Sequence, residues 1–110
     1  MTVSFQARYM STLGLAAKAG KLVCGTQNVC DALKEGRAKL VVEASGNSAN
    51  TSKRLNDRCA FYGIRLIPAN ADGDGLGAAV GRRGACAAVA VCDDSLARAV
   101  LTAYERAAGQ

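Results

Sequence analysis

The sequence predicts an α/β fold, namely a three-layer α/β/α sandwich in which a central mixed sheet of about four strands has helices on both faces. Short apolar or β-branched runs alternate with longer segments in which apolar residues recur at helical spacing. The chain is therefore expected to begin with a helix and then alternate strand and helix four times. Its 110 residues, of which 50% are hydrophobic, suit one core of ordinary size. We predict a single domain over residues 1–110.

The first half of the chain is predicted to contain three helices and two strands. Met10 and Leu13 lie on one face of the first helix, and Gly20 is well placed to end it. Gly25 is a turn residue after a brief apolar strand, and Thr26 is the N-cap candidate of the second helix. The predicted elements are a helix over residues 7–19, a strand over 21–24, a helix from 26 to a stop at Gly36, a central strand over 39–44 and a helix over 50–62.

The second half is predicted to contain two strands, a short helix and a long final helix. Pro68 stands near the end of the first of these strands, where its missing amide donor is tolerated. The last strand is small and apolar throughout, as is typical of a strand buried on both faces, and Asp93 or Asp94 caps the final helix. The predicted elements are a strand over 64–69, at most a short helix around 76–80, a strand over 85–92 and a helix over 93–108.

The charge balance favours a polyanionic partner. Lysine and arginine number 14 against 9 acidic residues, which gives a net charge of +5 and an isoelectric point near 9.2. The same balance also suits a basic surface that only keeps the protein soluble, because charge alone carries no information about nucleic-acid sequence or shape. Only the sequence motifs can distinguish a polyanion-binding protein from one whose basic surface serves solubility.

The cysteines and the N-terminal residues indicate a cytoplasmic protein. Five cysteines cannot pair completely, and the first ten residues lack the apolar core and cleavage site of a secretory signal. We therefore expect reduced thiols and a cytoplasmic location. No apolar run is long enough to cross a bilayer, so no membrane association is expected.

The composition argues against an enzyme and against a metal site. The chain has no histidine, which removes the commonest general base and the usual partner of a catalytic cysteine. It also has no Cys-x-x-Cys pair, so a zinc site would need ligands from distant segments. We predict no catalytic residue, no metal ion and no cofactor.

One glycine-rich string imitates a dinucleotide-binding motif. Residues 73–78 match G-x-G-x-x-A after a strand. In a dinucleotide fold, however, the first glycine follows the strand directly and the helix behind it is long, whereas Gly81 and Gly84 interrupt any helix here. A turn followed by a short helix is the better interpretation. By the same reasoning, Asp93 and Asp94 are caps rather than an acid–base pair, and Cys92 is a core cysteine at the end of a strand.

The turn before the second helix is the strongest candidate site. Backbone amides at a helix start favour phosphate, and the side-chain amides of Gln27 and Asn28 suit base edges. In a sheet wound in this way, the basic loop around Arg82 and Arg83 can lie at the same end as this turn. Together they predict one basic, hydrogen-bonding face.

Several segments together resemble the L7Ae/L30e ribosomal-protein family, and especially its short bacterial YlxQ-type members. They are residues 13–21 (LGLAAKAGK), 36–41 (GRAKLV), 50–59 (NTSKRLNDRC), 76–81 (LGAAVG) and 86–87 (CA). The similarity runs from about residue 9 to residue 101. It implies a three-layer α/β/α sandwich that binds kink-turn or kink-loop RNA with the start of the second helix, since proteins read RNA through bends and splayed bases.

The resemblance also assigns residues. The family's Gly-x-Asn-Glu turn falls on residues 25–28, its lysine one turn later falls on Asp31, and its apolar Val-Pro loop falls on Gly84 and Ala85. The acidic pair after the second strand is replaced by Ser45 and Gly46. The predicted RNA-binding residues are Gly25, Thr26, Gln27, Asn28, Asp31, Lys34, Arg82, Arg83, Gly84 and Ala85.

The predicted function is non-catalytic binding of kink-turn or kink-loop RNA, ribosomal RNA included, by a monomeric ribosomal or translation-associated protein. The alternative is a protein-interaction module of the same fold that binds protein partners and has weak or no specific affinity for RNA, because a shared fold does not fix function.

Overall fold

The computed structural model describes residues 5–108. The first four residues of the N-terminal stretch considered above for a secretory signal lie outside the described residues. Within the described part, the elements in chain order are α1 (Phe5–Lys18), β1 (Leu22–Cys24), α2 (Thr26–Lys34), β2 (Leu40–Ser45), α3 (Ala49–Tyr62), β3 (Leu66–Asp72), α4 (Gly73–Ala79), β4 (Ala88–Val91) and α5 (Asp94–Ala108). Their order confirms the predicted alternation of strands and helices.

The four strands form one mixed sheet in the order β1-β4-β2-β3. β4 runs antiparallel to both of its neighbours, whereas β2 and β3 are parallel. The first three strands therefore end at the same edge of the sheet, which is also the edge where β4 begins. We call this edge the loop edge.

The helices cover both faces of the sheet, which confirms the predicted three-layer sandwich. Alternate residues of β2 enter separate cores, with Leu40 and Val42 on one face and Val41 on the other. The first core packs against α1, α4 and α5, and the second packs against α2 and α3. All four residues of β4 are buried, as predicted for a strand enclosed on both sides.

Two local predictions need correction. Pro68 lies in the middle of β3 rather than near its end, and the sheet tolerates it because β3 is an edge strand. The short helix spans Gly73–Ala79 instead of residues 76–80, since Asp72 at the end of β3 caps it by accepting a hydrogen bond from Gly75 N at 2.8 Å. In residues 5–108, no helix is both long and apolar enough to span a bilayer.

Candidate nucleic-acid interface

The loop edge brings together the two segments singled out in the sequence. Gly25 follows β1, and the loop of residues 82–85, which we call the arginine loop, leads towards β4. Both line one cavity of about 220 Å³, whose walls also include Cys24 and Cys86. The turn and the loop are therefore neighbours in space, although more than fifty residues separate them in the chain.

The start of α2 has an exceptional backbone. Gly25 is its N-cap, with φ 97° and ψ 147°, a combination that is essentially restricted to glycine. The prediction of Thr26 as N-cap is wrong, because Gly25 N–H bonds Ala88 O at 2.9 Å and Gly25 O closes the first helical turn with Val29 N. In the described structure no side chain caps this helix, so its first backbone amides remain available to a ligand.

The two predicted base-reading side chains are held differently. Gln27 donates from Nε2 to Asp31 Oδ1 at 2.9 Å and accepts from Arg54 Nη2 at 2.9 Å, so both ends of its amide are engaged. Asn28 donates from Nδ2 to Cys24 O at 2.8 Å, which fixes the orientation of an exposed amide group. Asn28 is therefore the better oriented of the two to meet a base edge.

A groove beside α2 collects the other predicted residues of this helix. Asn28, Asp31 and Lys34 line it together with Glu35 and Arg37, and its volume is about 460 Å³. Helical spacing places the first three on one face. Glu35 binds Arg37 at 2.6 Å and raises the pKa of the guanidinium, first through the hydrogen bond and then through its charge. Asp31 and Lys34 thus add one negative and one positive charge to the groove that Asn28 lines.

The glycine-rich segment seats the arginine loop on α4. Arg82 N bonds Gly77 O at 2.8 Å, and Cys86 N bonds Gly73 O at 2.9 Å. A methyl group at Gly77 would overlap the carbonyl oxygen of Gly84, so only glycine allows this approach. The prediction of a short helix in this string is confirmed, but the turn predicted before it is absent, because α4 begins at Gly73 directly after β3. Its glycines position the loop.

The arginine loop presents both of its arginines at the surface. A hydrogen bond with Cys24 raises the pKa of the Arg82 guanidinium, and the charge interaction with that thiol adds to the effect. Burial raises the pKa of the neighbouring Cys86 thiol to about 11, and its interactions with Cys24 act in the same direction. The loop is thus held on the end of β1, with the side chains of Cys24 and Cys86 beneath a cationic rim.

Sequence reasoning missed two residues of this region. Asn47 Nδ2 lies 3.0 Å from Ala87 O and 3.2 Å from Ala44 O, so it ties the loop after β2 to the approach of β4. Arg54 on α3 reaches Gln27 across the contact between α2 and α3. In the sequence, Arg54 lies in a segment that resembles the family, and this was the one sign of its importance. Its hydrogen bond to Gln27 could not be predicted, because it depends on how α2 and α3 pack.

Comparisons with known proteins agree with this architecture. A model of the ribosomal protein L7Ae/L30e/S12e/Gadd45 family matches residues 7–100. The chain is 34% identical over 92 residues to the RNA-binding protein YlxQ of Bacillus subtilis, covering 82% of this chain and 88% of that protein. It is also 34% identical over 55 residues to the RNA-binding protein YlxQ of Enterococcus faecium, covering 50% of this chain and 53% of that protein.

Two solved structures are similar as well. A protein of unknown function from Bacillus halodurans C superposes with a TM-score of 0.84 at 30% identity, covering 90% of this chain and 98% of that one. The Giardia lamblia 15.5 kD RNA binding protein superposes with a TM-score of 0.74 at 14% identity, covering 99% of this chain and 92% of that one, which shows a shared fold.

Proposed function

The chain belongs to the ribosomal protein L7Ae/L30e/S12e/Gadd45 family, and we propose that it is a non-catalytic RNA-binding protein whose ligand is kinked, structured RNA. The whole chain acts as one RNA-binding domain in the cytoplasm, as a monomer, with ribosomal or another translation-associated RNA as its partner. The relative from Bacillus subtilis, which matches over most of both chains, is named as an RNA-binding protein and supports this proposal.

The observation that carries the proposal is the shared cavity of the uncapped α2 start and the arginine loop. Backbone amides at a helix start bind phosphate, and the cationic loop beside them adds charge attraction. Asn28 presents an oriented amide in the first turn of α2. A bent RNA offers what this surface needs, because a kink brings phosphates together and splays bases out of the stack.

The proposed contact residues have distinct tasks. Backbone amides of α2 and the two arginines contact phosphates, Asn28 contacts a guanine edge, and Gln27 does so after exchanging one of its present partners. The proposed contact set is Gly25, Thr26, Gln27, Asn28, Asp31, Lys34, Arg82, Arg83, Gly84 and Ala85.

A binding titration tests the proposal. The purified protein is titrated with a kink-turn RNA and with a fully paired duplex of the same length at one salt concentration. We expect the kink-turn to bind at least about tenfold more tightly, a difference of roughly 1.4 kcal/mol. Equal affinity for the two RNAs would contradict kink-turn recognition and favour the protein-interaction alternative.

A further inference from the structure

Helix α3 has an exposed stripe that the proposed contacts do not use. Arg54, Arg58 and Phe61 recur at positions i, i+4 and i+7 and therefore lie on one face of the helix. All three are exposed, and the Phe61 side chain is 80% accessible, against 59% for Leu15, the other exposed large apolar residue in the described chain. We call these three residues the α3 stripe.

The α3 stripe is continuous with the proposed RNA site. Arg54 Nη2 donates to Gln27 Oε1 at 2.9 Å, which joins the first residue of the stripe to the start of α2. From Arg54 to Phe61 the stripe runs about 10 Å along the helix, at 1.5 Å per residue. An RNA strand that is bound at the loop edge can therefore continue directly onto α3.

The charge of the stripe is not cancelled by the other residues of α3. Asp57 is the acidic residue beside it, and Lys53 binds that carboxylate at 2.8 Å. This hydrogen bond, followed by the charge of Asp57, raises the pKa of Lys53, so the two residues form a neutral pair. Arg54 and Arg58, which line a surface depression of about 320 Å³ with this pair, keep a net positive charge.

The aromatic end of the stripe, Phe61, packs against one neighbouring ring but is otherwise exposed to solvent. Tyr62 packs against Phe61 edge to face, with ring centroids 4.9 Å apart and planes at 78°. A single exposed apolar residue is ordinary on a protein surface. Here it stands on one line with two guanidinium groups, and proteins bind single-stranded nucleic acid with this pairing, since arginines follow the phosphates and aromatic rings stack with bases.

We propose that the α3 stripe binds a single-stranded segment of the RNA that leaves the kinked region, with phosphates at Arg54 and Arg58 and one base stacked on Phe61. The inference rests on the proposed function, because the strand is delivered to α3 by the kinked RNA held at the loop edge. A protein partner could bind the α3 stripe instead. The hydrogen bond from Arg54 to Gln27 favours RNA, because it joins the stripe to the start of α2, where the RNA is proposed to bind.

The experiment compares a blunt kink-turn RNA with the same RNA carrying an unpaired uridine extension of about eight nucleotides, placed on each end in turn. The wild-type protein is expected to bind one of the extended RNAs about fivefold or more tightly than the blunt one. In Phe61→Ala and Arg58→Ala this gain should disappear while the affinity for the blunt RNA stays the same.

Matched controls separate the stripe from general surface effects. Leu15→Ala removes an exposed apolar side chain from α1, and Arg98→Ala removes an exposed cation from α5, both on the opposite face of the sheet. Both variants should keep the full gain, with thermal unfolding recorded for every variant. If neither extension tightens wild-type binding, or if Phe61→Ala keeps the gain, the stripe serves another partner and the inference is wrong. If the blunt kink-turn is not bound, the proposed function fails as well.

Discussion

Helices α3, α4 and α5 begin on a capping side chain, whereas α2 begins on a glycine that has none. The three capping bonds run from Thr51 N to Ser48 Oγ (3.2 Å), from Gly75 N to Asp72 Oδ1 (2.8 Å) and from Leu96 N to Asp93 Oδ2 (2.9 Å). In the described chain no such bond exists at Gly25, the N-cap of α2. A cap of this kind stabilises a protein by about 1 kcal/mol, so α2 lacks a contribution that the other three helices have.

The difference is not explained by position in the fold. α3 and α4 begin at the loop edge as α2 does, and both are capped. What distinguishes α2 is that its N-cap, Gly25, lines a cavity together with the arginine loop. Under the proposed function, the phosphate of a bound RNA satisfies donors that a side chain satisfies elsewhere. Four changes test this difference between α2 and the capped helices. Their expected effect on RNA binding decreases from the first to the last.

Gly25→Asp should have the largest effect, because it puts a carboxylate where a phosphate is expected. Gly25→Ala is the matched control, since both variants force a side chain into the positive-φ conformation and are expected to lose about 1–3 kcal/mol of unfolding free energy. Charge repulsion should make Gly25→Asp bind kink-turn RNA roughly a hundredfold more weakly than wild type, and well below Gly25→Ala. Titration of both variants checks this, and equal affinities would argue that no phosphate lies there.

Arg82→Ala combined with Arg83→Ala should weaken binding by roughly thirtyfold at low salt and reduce the slope of log affinity against log salt by up to about two, one for each lost phosphate contact. The control pair is Arg98→Ala with Arg106→Ala on α5, which removes the same charge from exposed positions elsewhere. Titrations at several salt concentrations measure both effects. A slope that matches wild type would place the RNA away from this loop.

Asp31→Lys should tighten binding by about tenfold at low salt, because it replaces a charge that repels phosphate with one that attracts it. The gain should shrink as salt screens it. Asp31→Asn is the control, since it keeps an oxygen for the hydrogen bond from Gln27 but removes the charge, and its affinity should lie between the two. A folded Asp31→Lys protein that binds no better than wild type would show that this face of α2 is not in contact with RNA.

Asp93→Ala should have no effect on RNA binding and should lower the free energy of unfolding by about 1 kcal/mol, because it removes the cap of α5 at the opposite edge of the sheet. Chemical denaturation and titration measure the two quantities. Loss of affinity in a folded Asp93→Ala protein would show that capped and uncapped helix starts do not differ in function.

Local patterns in the sequence predicted most of the fold. The unbroken apolar character of the last strand correctly indicated burial on both faces, and Asp93 was correctly named as a cap candidate. Thr26 was misassigned as an N-cap because the true cap, Gly25, is fixed by a hydrogen bond to Ala88, more than sixty residues away. The position of Pro68 in the middle of β3 could not be predicted, because it is tolerated only in an edge strand and the order of the strands was not known from the sequence.

The candidate site was predictable only in part. Its two loops follow from the strand order and from resemblance to a family, but the side-chain network does not. That Arg54 holds Gln27, and that Asn47 holds the approach to β4, depends on which helices and loops meet in space. The contribution of Gly77 is likewise invisible in the sequence, because it comes from a close approach to the backbone of Gly84.

Nuclear magnetic resonance of the amide groups can show whether RNA binds at the uncapped start of α2. Kink-turn RNA is added to isotope-labelled protein, and the start of α2 is compared with the start of α5. We expect the amide signals of Thr26, Gln27 and Asn28 and those of residues 82–85 to shift most, while those of Ser95 and Leu96 stay in place. Shifts centred elsewhere, with the signals of Thr26, Gln27 and Asn28 unmoved at saturating RNA, would show that the start of α2 does not bind the RNA.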